Sequence, residues 1–288
     1  YHEPAAFCAA LINAQPMGFW SPHTLVQDAR RHGVTVRTPD LNASLAVATL
    51  EDGGASVRLG LSSVRGIGSE LAEQIETQRR EHSEYASPED LVRRVPDLTL
   101  AQLEAMATAG VFGECFGLER REALWAVGAV SQSRPGRLPG IVTGERPPTL
   151  PCMTPVEESV ADLWATGVSP EGHPTQFLRT ELTKLGVVTS SGLWQCEPKT
   201  RVMIAGVVTH RQRPMTAQGV TFLNLEDETG LINVVVSKGC WARFRSVVRG
   251  APAMVIRGRI ERAEGVINDV AEHHAPLPLA TSTTSRKF

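Results

Sequence analysis

The chain has 288 residues, which is enough for two or three domains. Hydrophobic residues make up 42% and charged residues 21%, a balance typical of globular proteins rather than of disordered or membrane-spanning ones. The net charge of −2 disfavours a protein that coats nucleic acid through an overall positive field, so a nucleic-acid partner would have to be held by local basic patches.

The sequence also indicates a cellular compartment. No apolar run approaches the roughly 18 residues of a membrane helix, and no signal peptide opens the chain. The five cysteines are scattered and never form a C-x-x-C pair, which is typical of reduced thiols and disfavours a disulfide framework or a zinc site. We therefore expect a cytoplasmic protein without a membrane partner. Its opening residues Tyr1-His2-Glu3-Pro4, which lack a methionine, indicate a segment of a longer protein.

The beginning of the chain is predicted to contain two helices and a small sheet. Pro4 fits the first turn of one helix, and Ser21-Pro22 starts a second that ends near Gly33. Three short strands are predicted next, over residues 34–36, 44–50 and 57–59.

The middle of the chain returns to helical patterns. Short helices are predicted over residues 61–128, with Ser87 as the N-cap of one of them. Residues 131–155 contain six prolines and are predicted to form a linker, because such a stretch holds no helix and buries little. Helical patterning resumes over residues 156–185. The polar residues 277–288 are predicted to be a disordered tail.

From Arg201 onward the hydrophobic period becomes that of strands. Three strands, a helix and two further strands are predicted over residues 201–209, 220–226, 231–236, 238–248, 253–260 and 266–271. This order of elements within about 75 residues is typical of the OB-fold, a five-stranded, partly open barrel that binds oligonucleotides.

The segment Arg65-Gly66-Ile67-Gly68 has the helix-hairpin-helix pattern, in which two glycines flank an apolar residue between helical turns. The glycines permit a tight turn and let the backbone approach a phosphate closely. The hairpin amides and the N-terminus of the following helix then point at the anion. We expect Ile67 to be buried beneath the hairpin and Arg65 to add positive charge. Such a site holds the DNA backbone without reading bases.

A second candidate hairpin is Gly110-Val111-Phe112-Gly113, which is followed by Arg120-Arg121. The alternative is an ordinary turn between two helices, with both arginines on a solvated helix face. Two hairpin patterns in one helical region favour a tandem DNA-binding arrangement.

The predicted barrel has its own candidate residues. The loop between its first two strands carries Arg211 and Arg213, and the second strand presents Phe222 and Asn224 on its outer face. An exposed aromatic side chain there would stack a base, which is worth roughly 1–3 kcal/mol. The alternative is that Phe222 covers the barrel edge. The acidic turn Glu226–Glu228 is expected to be solvated, and it counts against strong binding.

The motifs of several enzyme classes are missing. The sequence contains no P-loop, no H-E-x-x-H and no G-x-S-x-G, and no pair of carboxylates suited to two catalytic magnesium ions. We therefore expect no catalytic residue, no metal site and no cofactor within this chain.

Taken in order, these segments resemble successive motifs of the bacterial C-family DNA polymerases, the DnaE type. The segments concerned are Tyr1–Phe7, Ala9–Asn13, Pro39–Asn42, Gly60–Gly68, Ala109–Phe112 with Arg120-Arg121, Asp162–Trp164, Gly172–Pro174 and Thr221–Gly230. Two more, Gln15–Pro22 and His210–Pro214, are similar to the error-prone, damage-associated branch of that family.

The resemblance implies a multidomain α+β fold, mainly helical and ending in a β-barrel. In order, it implies the end of a fingers domain (1–55), a tandem helix-hairpin-helix domain (56–130), the linker (131–155), a helical connector (156–198), an OB-fold domain (199–276) and the tail (277–288). It also implies a C-terminal part of an error-prone DNA polymerase that serves DNA repair and damage-induced translesion synthesis. The palm domain with its magnesium-binding aspartates would lie upstream, so this chain alone is expected to be inactive.

The implied partner is primer-template DNA, both duplex and single strand. Replicative relatives carry a sliding-clamp motif between the hairpins and the barrel, and residues 131–155 show none. Recruitment to the clamp through an adaptor protein is therefore implied. Two alternatives stay open, namely a free-standing DNA- or RNA-binding module and a protein-docking region in which the barrel contacts the adaptor.

Overall fold

The structure, a computed structural model, describes residues 2–132, 148–263, 265–279 and 286–287. The chain divides into two compact units. The first consists of Tyr1–Gly18 and His32–Glu171, and the second of Phe19–Arg31 and Gly172–Phe288. Most of the predicted linker and most of the predicted disordered tail lie outside the described residues.

As the sequence predicts, most helices precede residue 186 and the long strands follow residue 200. The α-helices of the described residues are α1 (Pro4–Asn13), α2 (Pro22–Arg31), α3 (Gly68–His82), α4 (Pro88–Arg94), α5 (Leu100–Thr108), α6 (Gly113–Phe116), α7 (Arg120–Val130), α8 (Pro155–Ala165), α9 (Arg179–Lys184), α10 (Lys238–Arg243) and α11 (Arg245–Gly250). The strands are β1 (Thr35–Arg37), β2 (Thr49–Glu51), β3 (Ser56–Arg58), β4 (Val187–Val188), β5 (Arg201–Gln212), β6 (Thr221–Asp227), β7 (Gly230–Val236), β8 (Ala253–Ala263), β9 (Val266–Pro276) and β10 (Arg286–Lys287).

The first unit is mainly helical, and its core lies among α3, α4, α5 and α7. Ile75, Leu91 and Phe112 are fully buried there. Helix α4 begins as predicted, because the Ser87 hydroxyl accepts a hydrogen bond from the amide of Asp90 and a proline occupies the first helical position. Ile67 and Ala72, at the start of α3, belong to the same core, so the core holds the first candidate hairpin in place.

The small sheet of the first unit has β3 at its centre, parallel to β1 and antiparallel to β2. The strand predicted over residues 44–50 is wrong in its first part. The Asp40 carboxylate accepts hydrogen bonds of 2.8 Å from the amides of Asn42 and Ala43, and the Ser44 hydroxyl donates to the carbonyl of Leu59 at 2.7 Å. These local bonds hold the backbone in a turn instead of a strand ladder.

The second unit contains a closed five-stranded barrel. The strands are hydrogen-bonded in the order β5, β6, β7, β9 and β8, and antiparallel pairing of β8 with β5 closes the ring. Ile204, Leu223, Leu225 and Ile256 are fully buried in its core, as the alternation in the sequence predicts for the two leucines. The predicted fold class, a helical part followed by an OB-fold barrel, is confirmed.

The helical segment between β7 and β8 differs from the sequence prediction. A single helix was expected over residues 238–248, but α10 and α11 meet at Phe244, whose φ of −112° and ψ of 25° interrupt the helix. The Ser237 hydroxyl caps α10 by accepting a hydrogen bond of 3.2 Å from the amide of Cys240. Among the described residues, no helix has both the length and the apolar character needed to cross a membrane.

Candidate nucleic-acid interface

The first hairpin has the backbone geometry that its glycines predict. Gly66 and Gly68 have φ values of +79° and +64°, a region that side-chain-bearing residues rarely adopt. Ile67 lies between them and is 4% exposed, so it anchors the hairpin to the core as expected. A single 3-10 turn, Leu61–Ser63, precedes the hairpin and α3 follows it.

The amides of this hairpin differ in their hydrogen bonding, and that of Ile67 donates to the carbonyl of Val64 at 3.0 Å. Gly66 and Gly68 are exposed, and their backbone N–H groups donate no hydrogen bond to any of the described residues. Gly68 is also the first residue of α3, a helix of 15 residues, whose dipole favours negative charge at this end. The hairpin therefore presents unpaired donors where a phosphate can approach the backbone.

Arg65 is held beside the hairpin by its own unit. Its backbone amide donates to the carbonyl of Ala165 at 2.7 Å, and its Nε donates to the carbonyl of Trp164 at 2.9 Å. Its guanidinium carbon lies 4.7 Å from the centre of the Trp164 ring. The side chain remains exposed, so a positive charge is positioned next to the unpaired amides.

The second hairpin is closed on itself. Gly110 has a φ of +79°, and both Val111 and Phe112 are fully buried. The amide of Gly110 donates to the carbonyl of Ala107 at 3.1 Å, and the amide of Gly113 donates to the carbonyl of Gly110 at 3.0 Å. The two glycine amides that would bind a phosphate are thus already satisfied within the turn.

The two arginines after the second hairpin, at the start of α7, form ion pairs with carboxylates on α8. Arg120 forms an ion pair of 2.7 Å with Asp162, and the side chains are 14% and 5% exposed. Burial raises the pKa of Asp162 to about 6, although Arg120 acts in the opposite direction. Arg121 pairs with Glu157 at 2.8 Å nearer the surface. Both cations therefore have carboxylate partners in the first unit.

On the barrel, Phe222 and Asn224 lie on the outer face of β6, as the alternation predicts. Phe222 is 38% exposed and Asn224 is half-buried. Their cross-strand partners on β7 are Val235 and Asn233. An aromatic side chain with solvent access is therefore present on this face of the barrel.

The rest of this outer face is covered by α2 and the residues before it. The Phe19 ring stacks on the His210 ring with centroids 4.5 Å apart. The Thr24 hydroxyl donates to the Glu226 carboxylate at 3.0 Å, and Arg31 forms an ion pair with Glu226 at 3.2 Å. The accessible part of the face is thus confined to the end that carries Phe222.

The expectation of a solvated acidic turn is wrong. Glu226 and Asp227 are fully buried, and burial raises the pKa of both side chains. The Asp227 carboxylate accepts a hydrogen bond of 2.7 Å from the amide of Ser190, and Arg179 pairs with Glu228. These carboxylates stabilise the second unit and contribute little negative charge to the surface.

The expected position of Arg211 is also wrong. Strand β5 continues to Gln212, so Arg211 lies on the strand rather than in the loop, and it is 8% exposed. Its guanidinium donates to the carbonyl of Val248 at 2.9 Å and to the carbonyl of Ala251. Arg213, by contrast, is exposed in the loop, with its guanidinium carbon 3.9 Å from the centre of the Trp241 ring.

Comparison with known proteins assigns both units. Residues 33–123 match the family model of the helix-hairpin-helix motif, and residues 202–273 match the OB-fold nucleic acid binding domain. The chain is 55% identical over 287 residues to an error-prone DNA polymerase of Mycolicibacterium paratuberculosis, and 54% identical over 294 residues to that of Nocardia farcinica. Each alignment covers the whole of this chain and 26% of the relative.

The chain is similar over its whole length to the error-prone DNA polymerases. Its sequence corresponds throughout to a segment of them, about a quarter of their length, which confirms the resemblance drawn from the motifs. A solved asparaginyl-tRNA synthetase of Pyrococcus horikoshii is similar at 20% identity over 30% of this chain and 21% of its own, with a TM-score of 0.24, too low to support an argument.

Sequence reasoning missed several residues of the candidate interface on the barrel. Gln212, Thr221, Trp241, Arg245 and Arg249 line a cavity of about 380 Å³ together with Arg211, Arg213 and Val248. A signal was present, because residues 229–260 contain no aspartate or glutamate. The same stretch contains six basic residues, Lys238, Arg243, Arg245, Arg249, Arg257 and Arg259.

Proposed function

We propose that this chain is the part of an error-prone DNA polymerase that holds primer-template DNA. In this proposal the first hairpin binds the duplex backbone and the barrel binds template single strand. The observation that carries the proposal is the pair of exposed glycines Gly66 and Gly68 at the start of α3, whose amides have no acceptor among the described residues. Backbone amides at phosphates carry no base information, so binding is expected to be independent of sequence.

The activity of the whole protein is also a proposal. Relatives that match along the full chain are named error-prone DNA polymerases, and this supports a role in DNA repair and damage-induced translesion synthesis in the cytoplasm. Within the described residues, no group of three or more histidine, cysteine, aspartate or glutamate side chains could hold a metal ion. We propose that magnesium binds outside this chain and that the chain alone does not extend a primer. Templated extension by the pure chain would contradict this assignment.

Binding by the first hairpin is tested by changing one glycine. Gly68→Val places a branched side chain at a φ of +64° and pushes the backbone amides away from a phosphate. Fluorescence anisotropy on two unrelated duplexes should report weaker binding by a similar factor on both. Gly53→Val is the matched control, because Gly53 has a φ of +67°, belongs to the same unit and lies away from the hairpin.

The charge beside the hairpin is tested separately. Arg65→Ala should lower the slope of log affinity against log salt concentration by about 0.9, which corresponds to the loss of one phosphate contact on a duplex. If Gly68→Val weakens binding to one duplex only, or no more than Gly53→Val does, the hairpin does not hold the backbone in the proposed way.

Protein docking is the second candidate function. Trp194 and Leu185, in the connector before the barrel, are 56% and 63% exposed, and such apolar side chains are typical of surfaces that meet another protein. We propose an adaptor as the partner, linking the polymerase to the sliding clamp. If the folded chain does not bind a single-stranded oligonucleotide even at low salt, protein docking becomes the better assignment for the barrel.

A further inference from the structure

The cavity beside the first barrel loop is lined by an unusual concentration of cations. Arg213 comes from the loop, and Arg245 and Arg249 come from α11. None of their guanidinium groups forms an ion pair or a hydrogen bond with the part of the chain that the structure describes. Three guanidinium groups that share a cavity without a counter-ion repel one another, so the site favours an anion.

An aromatic ring positions two of these cations. The guanidinium carbon of Arg213 lies 3.9 Å from the centre of the Trp241 ring, and that of Arg245 lies 5.1 Å from it. Cation–π contacts of this kind restrict both side chains before any ligand arrives. Less conformational freedom is then lost when an anion binds.

A buried hydroxyl group gives a second, independent indication of a ligand. Thr221 lines the same cavity and is 4% exposed. Its Oγ1 has no hydrogen-bond partner among the described residues. Buried polar atoms are nearly always paired, so a buried hydroxyl without a partner in the fold indicates that a ligand supplies one. The hydroxyl can donate to an oxygen of that ligand.

Arg211 supports the site without binding the ligand. Its guanidinium donates to the carbonyls of Val248 and Ala251, at the end of α11. This contact fixes the helix that carries Arg245 and Arg249. Arg211 is therefore a positioning residue, and the sequence-based assignment of it as a direct DNA contact is replaced by this role.

From these observations we infer that Arg213, Thr221, Trp241, Arg245 and Arg249 form a phosphate-binding site, and that its occupant is a backbone phosphodiester of single-stranded nucleic acid. The inference rests on the proposed function, which gives the barrel the template strand. Gln212 lines the cavity and is the cross-strand partner of Phe222, so one strand of nucleic acid can contact both. A base stacked on Phe222 then has its phosphate next to the cavity.

The test uses the full chain and a fluorescein-labelled oligothymidine in anisotropy titrations at two salt concentrations. The double variant Arg245→Gln/Arg249→Gln should bind more weakly at low salt, and its salt slope should fall by about 1.4 if two contacts to a single strand are lost. Thr221→Val, which keeps the side-chain shape, should weaken binding about tenfold, the usual cost of a hydrogen bond to a charged group. Arg243→Gln is the matched control, because Arg243 is exposed on α10 and does not line the cavity.

Competition separates the possible sources of phosphate. If inorganic pyrophosphate or a nucleoside triphosphate displaces the oligonucleotide, and the double variant loses that displacement, the site binds free phosphate ligands and the phosphodiester assignment is overturned. If Arg243→Gln weakens binding as much as the double variant does, the effect is general charge and no phosphate site exists. Thermal unfolding of each variant verifies that the barrel is folded.

Failure of this inference is distinguishable from failure of the proposed function. Unchanged oligonucleotide binding by the double variant and by Thr221→Val, with duplex binding still sensitive to Gly68→Val, overturns the phosphate site and leaves the hairpin assignment in place. If the cavity variants lose oligonucleotide binding and duplex binding is insensitive to Gly68→Val, the hairpin assignment is overturned and the phosphate site is kept.

Discussion

The two compact units distribute their charged side chains differently. In the first unit, arginines that look available in the sequence have carboxylate partners, as in the pair of Arg120 with Asp162 and the contacts of Arg58 with Glu51 and Glu114. In the second unit, Glu226, Asp227 and Asp269 are fully buried, whereas Arg213, Arg245 and Arg249 are exposed around one cavity.

This difference shows why the net charge of −2 is a poor guide to the binding surface. Burial removes carboxylates from the surface of the barrel. The net charge of its exposed side chains is therefore more positive than the net charge counted from its sequence. In the first unit, ion pairs neutralise Arg58, Arg120 and Arg121, so the hairpin is expected to bind through its backbone amides and the neighbouring Arg65. The two units are thus expected to bind nucleic acid by different physical means.

The largest effect, on the free energy of unfolding, is expected from the buried acids of the barrel. Burial, and to a smaller extent Glu272, raises the pKa of Asp269 to about 7. The unfolded chain loses this proton near pH 4 and the folded chain only near pH 7. The contribution of Asp269 to stability is therefore full below about pH 4 and is lost as the pH rises towards 7.

Asp269→Asn should remove this dependence on pH. Relative to the original chain, the variant should gain about 4 kcal/mol in free energy of unfolding between pH 4 and pH 8, from the difference in pKa at 1.36 kcal/mol per unit. Urea denaturation at a series of pH values measures it. Glu261→Gln, an exposed position on β8, is the control. A constant offset between variant and original chain across this range would contradict the prediction.

The next effect concerns the arginines of the first unit. Arg120→Ala leaves the Asp162 carboxylate buried without its partner and should lower the free energy of unfolding by about 3 kcal/mol. Arg121→Ala removes a more exposed ion pair and should cost under about 1 kcal/mol. Hydrogen exchange measured for each unit would locate the loss. Equal losses for the two variants would show that Arg120 has no special structural role.

A smaller effect tests stacking on the barrel face. Phe222→Ala should weaken binding of a single-stranded oligonucleotide about tenfold at both low and high salt, because stacking is not screened. Losses from the cavity arginines should instead shrink as salt rises. Val266→Ala, at another exposed apolar position of the barrel, should change nothing. A loss for Phe222→Ala that disappears at high salt would contradict the stacking assignment.

The smallest effect tests the hairpin. Glu70 is exposed in the first turn of α3, where its negative charge opposes a bound phosphate. Glu70→Gln should strengthen duplex binding about twofold at low salt. Glu81→Gln is the control, because it lies eleven residues further along the same helix, about 16 Å away and beyond the screening length. Equal gains from both variants would indicate a general charge effect.

Much of the fold could be predicted because its signals are local. The hairpin needs a left-handed backbone, which Gly66 and Gly68 adopt without steric cost, and the alternation around Leu223 and Leu225 predicts that one face of the strand is buried. The first part of the strand predicted over residues 44–50 is wrong, because the side chains of Asp40 and Ser44 satisfy the backbone there and the apolar pattern does not show this.

The sequence alone determined the order of the domains, the hairpin turn and the outward position of Phe222, because these depend on residues close together in the chain. The tertiary structure alone decided what each charged side chain does. Arg31 pairs with Glu226 across 195 positions, and Arg211 reaches the carbonyl of Val248 across 37. Since a charge stabilises the fold when it is buried with a partner and binds a ligand when it is exposed without one, its role depends on neighbours that only folding brings together.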